Sequence, residues 1–316
     1  MALTGDYNDL YIKQYRDLID HELQQGMSVL RPLVTTESVE GQTSYFNKLG
    51  KSSSYTITGR RQEVDVQDPT FERRLVSPVA IEAAHQIELI DAVRYMNAPN
   101  AELVASISQE LGRQMDSKIA AAAFGTAGRE LAGAVSNASF DSNFAIAVNS
   151  NVLVSTATAG DTGLHEGKLL QAKKKLQAAF ALAPGDEIFV VAPANQLAGL
   201  AARLSSLGGG AFHRHDLPKI NMPMLDQTLD GAFGMRFVQY ENLGVDANSD
   251  ELVAVFVKKA IKFGVWRDIS FTMTERTDQK GSPMLIKANM VVGAVRMWDE
   301  GIVKIACDPT PLYAAS

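Results

Sequence analysis

Five short stretches of this 316-residue chain carry residue types that could do chemistry, and each falls short of a complete site. Gly50-Lys51-Ser52 imitates the end of a phosphate-cradling loop, in which backbone amides and a lysine grip a nucleotide. That loop needs a glycine five residues before Gly50, but Tyr45 stands there and no buried strand precedes it. Gly167-Lys168 fails likewise, with Thr162 and Leu169 in the decisive places. His165-Glu166 lacks the second histidine of a zinc-binding helix. His213-Arg214-His215 offers two imidazoles without a cysteine or carboxylate cluster to complete a metal shell, and reads as part of a surface loop. Cys307 follows an apolar run and reads as inert packing. No serine sits in a Gly-x-Ser-x-Gly elbow. The expectation is therefore no catalytic residue, no metal ligand, no cofactor and no enzyme.

Composition excludes further classes. Apolar residues make up 46% and charged residues 21%, ordinary values for a folded globular chain. The longest apolar runs, Ile119–Phe124 and Ile188–Ala192, are far short of the ~20 residues that cross a bilayer, so no membrane partner is expected. No basic segment leads into an apolar one after Met1, so no secretory signal is expected either. The single cysteine forbids an internal disulfide and suits a reducing compartment. A net charge of −6 argues against gripping nucleic acid along the whole surface, but not against enclosing it.

With chemistry unpromising, the elements carry the argument. Asn100–Phe124 is one long amphipathic helix: Leu103, Ile107, Leu111, Met115 and Ile119 recur every four residues, with Val104 and Ala122 widening the stripe. Asn97 or Asn100 can cap its start, Pro99 suits a first turn, and Gly125 can end it in the left-handed conformation. At 1.5 Å per residue it is roughly 37 Å long, enough to be a beam along an elongated molecule or a long core helix. Before it, Tyr7, Leu10, Tyr11, Tyr15, Leu18, Ile19 and Leu23 describe a helical N-terminal arm over residues 1–40, ended by Gly26. That arm lies either on its own domain or on something else.

Residues 41–77 are the most unusual segment. Ser53–Thr58 and Gln62–Gln67 alternate around Gly59-Arg60-Arg61, which predicts an extended β-hairpin with one apolar edge formed by Tyr55, Ile57, Val64 and Val66. Four modest side chains contribute only ~6–10 kcal/mol even when fully buried, and an isolated hairpin is marginal in water. The hairpin therefore needs a surface to lie on, its own domain or a second copy of the chain. Arg60, Arg61, Arg73 and Arg74, opposed by Glu63, Asp65, Asp68 and Glu72, form either a solvated face or a register-setting one between subunits.

A short helix is expected over Ile87–Val93, and short strands at 144–148 and 152–154. Residues 161–259 read as a compact α/β module. It has a helix capped by Thr162 and stopped by Pro184-Gly185, a buried strand at Ile188–Ala192, a helix at Asn195–Ser206, a glycine loop at 208–210, and strands at Met235–Tyr240 and Leu252–Val257. Residues 260–316 are strand-rich, and the apolar Met290–Val295 should be a central strand lying beneath the long helix. The first domain, 78–160 with 260–316, is then discontinuous, with the α/β module inserted.

This order of parts resembles the major capsid proteins of tailed bacteriophages, the Hong Kong 97-like fold. Locally, Ile90-Asp91, Asn97-Ala98-Pro99, Leu111-Gly112-Arg113-Gln114-Met115-Asp116 and Ala120–Gly125 resemble that family's spine region. Gly231–Phe237 resembles a turn and strand of its axial domain, and Gly293–Met297 with Gly301–Ala306 its closing strands. The resemblance implies an α+β chain with an N-terminal arm, an extended loop, a spine helix and an inserted axial domain. It implies hexamers and pentamers in an icosahedral shell, assembled in the host cytoplasm around double-stranded DNA held without sequence-specific contacts. A separate scaffolding protein and a portal are the implied partners. Tyr55, Ile57, Arg60, Arg61, Val64 and Val66 of the loop, with Tyr11 and Tyr15 of the arm, are the implied inter-subunit contacts. Some relatives weld subunits by a lysine–asparagine bond; Lys48, Lys51 and Asn289 are the residues of that type here, with nothing to show them placed to react. An encapsulin-like cargo compartment and a soluble α/β enzyme using His213 and His215 are the alternatives.

Overall fold

The structure is a computed structural model. It describes all residues except 1–25, 51, 53, 57, 61–62, 64–65, 67, 88–99, 132, 151–161, 184, 208–231 and 311–316. In chain order the strands and helices are β1 Thr35–Ser38, β2 Ser44–Leu49, β3 Phe71–Val76, β4 Val79–Ile87, α1 Asn100–Phe124, β5 Ala127–Leu131, β6 Ala134–Ala138, β7 Ala145–Ile146, α2 Glu166–Ala178, β8 Ile188–Ala192, α3 Ala194–Leu207, β9 Met235–Gln239, β10 Glu251–Val257, β11 Ile261–Glu275, β12 Met284–Arg296 and β13 Ile302–Cys307. They form three sheets, ordered β1-β11-β12-β4, β7-β13-β10-β8-β9 and β2-β3-β5-β6.

The four-residue stripe of α1 is its buried face. Ile107, Leu111, Met115 and Ile119 pack on Ile286, Ala288, Met290 and Val292, the inward-facing alternate residues of β12. The helix thus lies along the first sheet, and the expected central strand is β12, flanked by β11 and β4. The same core continues into one face of the five-stranded sheet through Phe189 and Val191 of β8 and Ala254 and Phe256 of β10. The opposite face, with Ile188, Val190, Val253 and Val255, packs on Leu169, Ala172 and Leu176 of α2 and Leu200 of α3. A strand covered on both sides must be apolar at every position, and all five residues of β8 are buried.

Four local expectations need correction. β13 sits between β7 and β10 in the five-stranded sheet, so the last strand serves the α/β module and not the sheet under α1. Both its faces are buried, which the doubly covered sheet requires. The paired part of the 41–77 segment is β2 with β3, from Ser44↔Val76 to Leu49↔Phe71, closed by the Gly50 amide on the Thr70 carbonyl at 2.8 Å. The described positions among 53–58 and 62–67 belong to no strand, because pairing ends where β5 and the Phe46–Val76 cluster stop supporting the ladder. Ile87 closes β4 instead of opening a helix, and 88–93 lie outside the described residues. Finally, α2 is capped by His165, whose Nδ1 accepts from the Gly167 amide at 3.1 Å, while Thr162 donates to the Val148 carbonyl. The 152–154 strand and the helix of the N-terminal arm also fall outside the described residues.

The chain enters α1's neighbourhood through a buried acid. Asp116 accepts from the Ser28 hydroxyl and from the amides of Val29 and Leu30, each at 2.9 Å. Gly112, one turn earlier, permits this close approach: a Cβ there would lie 3.0 Å from the Ser28 amide nitrogen and 3.2 Å from the Gly26 carbonyl. Replacing Asp116 by Ala strands two backbone donors beside the core. Asp116→Ala should lower stability by about 2–4 kcal/mol, measured by thermal or urea unfolding, with Leu30 and its neighbours losing amide-exchange protection first.

Candidate functional site

No catalytic grouping assembles among the described residues. Among the described residues no three His, Cys, Asp or Glu side chains approach as metal ligands do, and no helix is long and apolar enough to cross a membrane. Gly50 only closes the β2–β3 stem, and a Cβ on it would meet the Thr70 hydroxyl at 2.1 Å. Lys168 is buried, its ammonium donating to the Thr162 carbonyl at 2.6 Å and the Ala306 carbonyl at 2.9 Å. His165 is the α2 cap and is buried too. Burial pushes the Cys307 thiol up to about 12, only partly opposed by the Lys168 cation. His213 and His215 lie outside the described residues. Asn289 accepts from the Ser270 hydroxyl in the first sheet, while Lys48 lies 4.7 Å from the Trp298 ring centre.

What the chain does present is a projecting loop with a charged root. Residues 50–70 leave the body between β2 and β3, and all the described positions there except Gly50 and Pro69 are exposed. Of the predicted contact residues, Tyr55 is 41% and Val66 78% exposed, and Arg60 is exposed at the tip. Ile57, Arg61 and Val64 of the loop, and Tyr11 and Tyr15 of the arm, lie outside the described residues. At the base, Leu49 and Phe71 are cross-strand partners, and both are exposed. Beside them opens a cleft of about 650 Å³ between the stem and the α/β module, lined by Leu49, Phe180, Lys259 and Trp298 among others. Phe180 stands at its rim, exposed, with a positive φ of 55° that few bulky residues adopt.

The root is a buried ionic node. Arg296, fully buried at the end of β12, donates through Nη1 to the carbonyls of Gly125 at 2.6 Å and Ala123 at 3.3 Å, and through Nη2 to that of Ala138 at 3.2 Å. Its Nε donates to Asp299. Asp299 also accepts from Arg74 Nη2 at 2.6 Å, and Glu72 Oε1 lies 3.2 Å from Arg74 Nε and 3.3 Å from Arg129 Nε. Arg296 therefore caps α1 with a cation on its last carbonyls, where the helix dipole is negative. Gly125 is not left-handed as expected; its amide continues the helical pattern to the Ala121 carbonyl at 2.8 Å, and an added Cβ would meet that oxygen at 2.5 Å. Burial alone pushes the Asp299 carboxyl up, but the hydrogen bond from Arg296 and the charges of both arginines outweigh it, and the net shift is down.

Sequence reasoning missed this node. Its neighbours in sequence make Arg74 look like part of a mixed-charge face, yet it shares strand parity with the buried Val76, and that alternation is the available signal. Arg296 likewise shares strand parity with the buried Ile286, Ala288, Met290 and Val292, whereas Asp299 carries no such mark, since its role depends on where β12 meets the end of α1.

Three sheets, a long spine helix and a loop leaving an ionic root make up the Hong Kong 97-like fold. The chain belongs to the phage capsid protein family, whose model matches residues 8–309, and its role is that of a major capsid protein forming the head shell. Its fold is shared with the capsid of Ralstonia phage GP4, at a TM-score of 0.70, 11% identity, and coverage of 98% of this chain and 100% of that one. The capsid of cyanophage P-SCSP1u is similar at a TM-score of 0.65 and 13% identity, covering 96% and 94%. Mycobacterium phage Che8 is similar at a TM-score of 0.62 and 18% identity, covering 94% and 97%. A sequence search among curated proteins gives no match.

Two outcomes follow from the site. Asp299 has a depressed folded-state pKa, so its contribution is complete above the ordinary carboxylate range and is lost as pH falls through its lower folded value. Asp299→Asn should cost roughly 3 kcal/mol at pH 7, and its melting temperature should fall less than the wild type's on acidification below about pH 4. Cys307 should resist alkylation in the native protein at pH 8 and react at once in denaturant, read by mass spectrometry.

Proposed function

We propose that this chain builds an icosahedral head of hexamers and pentamers, in which the 50–70 loop of each subunit lies on its neighbour. The five-stranded module faces the centre of each ring, and α1 with the first sheet forms the periphery. The shell encloses double-stranded DNA without reading its sequence, and its net charge of −6 suits a wall that DNA slides past. Assembly takes place in the host cytoplasm, with a separate scaffolding protein and a portal as partners, and the chain performs no catalysis. Residues 1–25, with Tyr11 and Tyr15, act as an arm to adjacent subunits.

The observation that carries this reading is the loop. Tyr55 and Val66 expose apolar surface on a segment without strand pairing of its own, while Leu49 and Phe71 expose more at its base. Such surface on one copy is the half of a contact whose other half belongs to another copy. Each contact is small, and closure of a shell multiplies them.

Electron microscopy of purified protein should show closed particles, and particles from an infected host should hold nuclease-protected double-stranded DNA. Particles that instead hold a protein cargo would identify a storage compartment. The double variant Tyr55→Asp with Val66→Asp should give a folded, soluble subunit with an unchanged circular dichroism spectrum that closes no shells. A wild-type yield of shells from that variant would refute the role given to the loop.

A further inference from the structure

The longest of the described strands, β11, is covered along only part of one edge. β1 pairs with β11 from Thr35↔Lys262 to Ser38↔Val265, the Val39 amide reaches the Val265 carbonyl at 3.0 Å, and Trp266 Nε1 donates to the Gly41 carbonyl. Beyond Trp266, among the described residues, no strand pairs with that edge. Two register irregularities against β12, at Arg267 and between Arg267 and Ser270, separate the covered inner half from the outer half. The outer half then runs as a regular ladder with β12 from Ser270↔Asn289 to Glu275↔Met284.

The composition of that outer half is unusual for an edge. Ile269-Ser270-Phe271-Thr272-Met273-Thr274 holds no charge, no proline and no glycine, and is rich in β-branched and aromatic residues. Phe271 is 44% and Met273 49% exposed. Bare edges are normally blunted by lysine, proline or an inward charge, because an uncharged β-prone hexamer recruits another strand. The other edges here are blunted: β2 carries Lys48, β4 carries Glu82, and β9 carries Arg236. The neutral β6 is short, and its last carbonyl, that of Ala138, is already taken by Arg296.

We infer that the outer half of β11 is a two-fold contact, pairing antiparallel with the same segment of a second copy of this chain. The inference rests on the shell reading only for the supply of neighbouring copies. Opposed residues must orient their backbone groups alike, both across the gap or both away from it, so paired positions share parity and the axis passes through a residue. With the axis at Thr272, Phe271 opposes Met273 of the other copy and Ser270 opposes Thr274. With the axis at Phe271, the two phenyl rings meet and Ser270 opposes Thr272. Both registers place aromatic and hydroxyl pairs across the gap within the regular ladder from Ser270 to Glu275, and neither opposes like charges there. Asp268 and Arg276, on either side of that ladder, are already bound by Arg31 and Asp278, so neither charge is stranded without the contact. The contact is isologous, with one patch meeting its own copy.

Single cysteines test this directly. Antiparallel partners have Cα atoms about 4.5–5.5 Å apart, within the span of a disulfide, and an on-axis residue faces only itself. Thr272→Cys or Phe271→Cys, oxidised in assembled particles with copper phenanthroline, should convert monomer to a disulfide-linked dimer on a non-reducing gel. Mass spectrometry should find the 272–272 or 271–271 peptide, with the buried Cys307 silent. Intact shells in which neither variant cross-links would overturn the inference and leave the shell reading standing, since another segment, such as residues 1–25, would then cover the edge. A preparation that forms no particles would count against the shell reading. There the same gel still decides: a soluble 272–272 or 271–271 dimer upholds the edge pairing, and its absence overturns it. Met273→Lys adds a second readout, with loss of the cross-link at an unchanged melting temperature expected.

Discussion

Arg296 and Asp299 join parts of the molecule that the backbone leaves unconnected. The guanidinium takes the last carbonyls of α1 and the end of β6, while the carboxylate receives Arg74 from the loop stem. Spine helix, first sheet and loop are thereby fixed at one point. Taking these charges out of water is costly, and Arg74 Nη1 is buried without a hydrogen-bond partner among the described residues. An apolar core in the same place would hold the parts together equally well but would not fix their angle. The directional fork of Arg296 does so, and Lys48, 4.0 Å from both Glu72 and Glu300, extends the network to the stem's outer face.

The two remaining anchors act on the same beam. Asp116 holds residues 28–30 against the middle of α1, so residues 1–25 leave from a defined place. The five-stranded sheet packs one face into the same core as α1, which ties the α/β module to the spine through Phe189, Phe256 and their neighbours. A load on any projecting part therefore reaches α1 through packed side chains or charge-assisted hydrogen bonds. Proteins transmit strain through such contacts because their interiors are packed as densely as crystals.

The elements legible in the sequence were those whose pattern is set by burial on a regular period. The stripe Ile107, Leu111, Met115, Ile119 gave α1 to the residue, and the unbroken run Ile188–Ala192 gave a strand covered on both faces. The order of parts and the family were legible for the same reason. What was hidden depends on distant pairing. β13 looks like any apolar strand, and only its pairing with β10 and β7 assigns it to the second sheet. The strands expected in the loop lie farther out than the real pair, because Tyr55–Ile57 and Val64–Val66 alternate as convincingly as Ser44–Leu49 and Phe71–Val76 do. Alternation reports what a segment could pair with, whereas support from β5 decides where pairing stops. Glycine permits a left-handed stop at position 125, but the need there is for space near the Ala121 carbonyl and a cation from β12.

The division between rigid body and projecting edges has a consequence for assembly. Three apolar clusters among the described residues give the body a core made wholly of its own side chains. The proposed contact surfaces, the loop with Tyr55 and Val66 and the uncharged outer half of β11, each offer only a few apolar side chains. Strong pairwise contacts would trap wrongly closed fragments, because an early error could not dissociate before the next subunit arrived. Weak contacts on a stiff frame allow errors to reverse, and closure then makes the whole shell stable through the number of contacts. The ionic root serves that scheme by fixing the angle at which the loop leaves the body. A small interface can select one geometry only if the element that carries it does not swing.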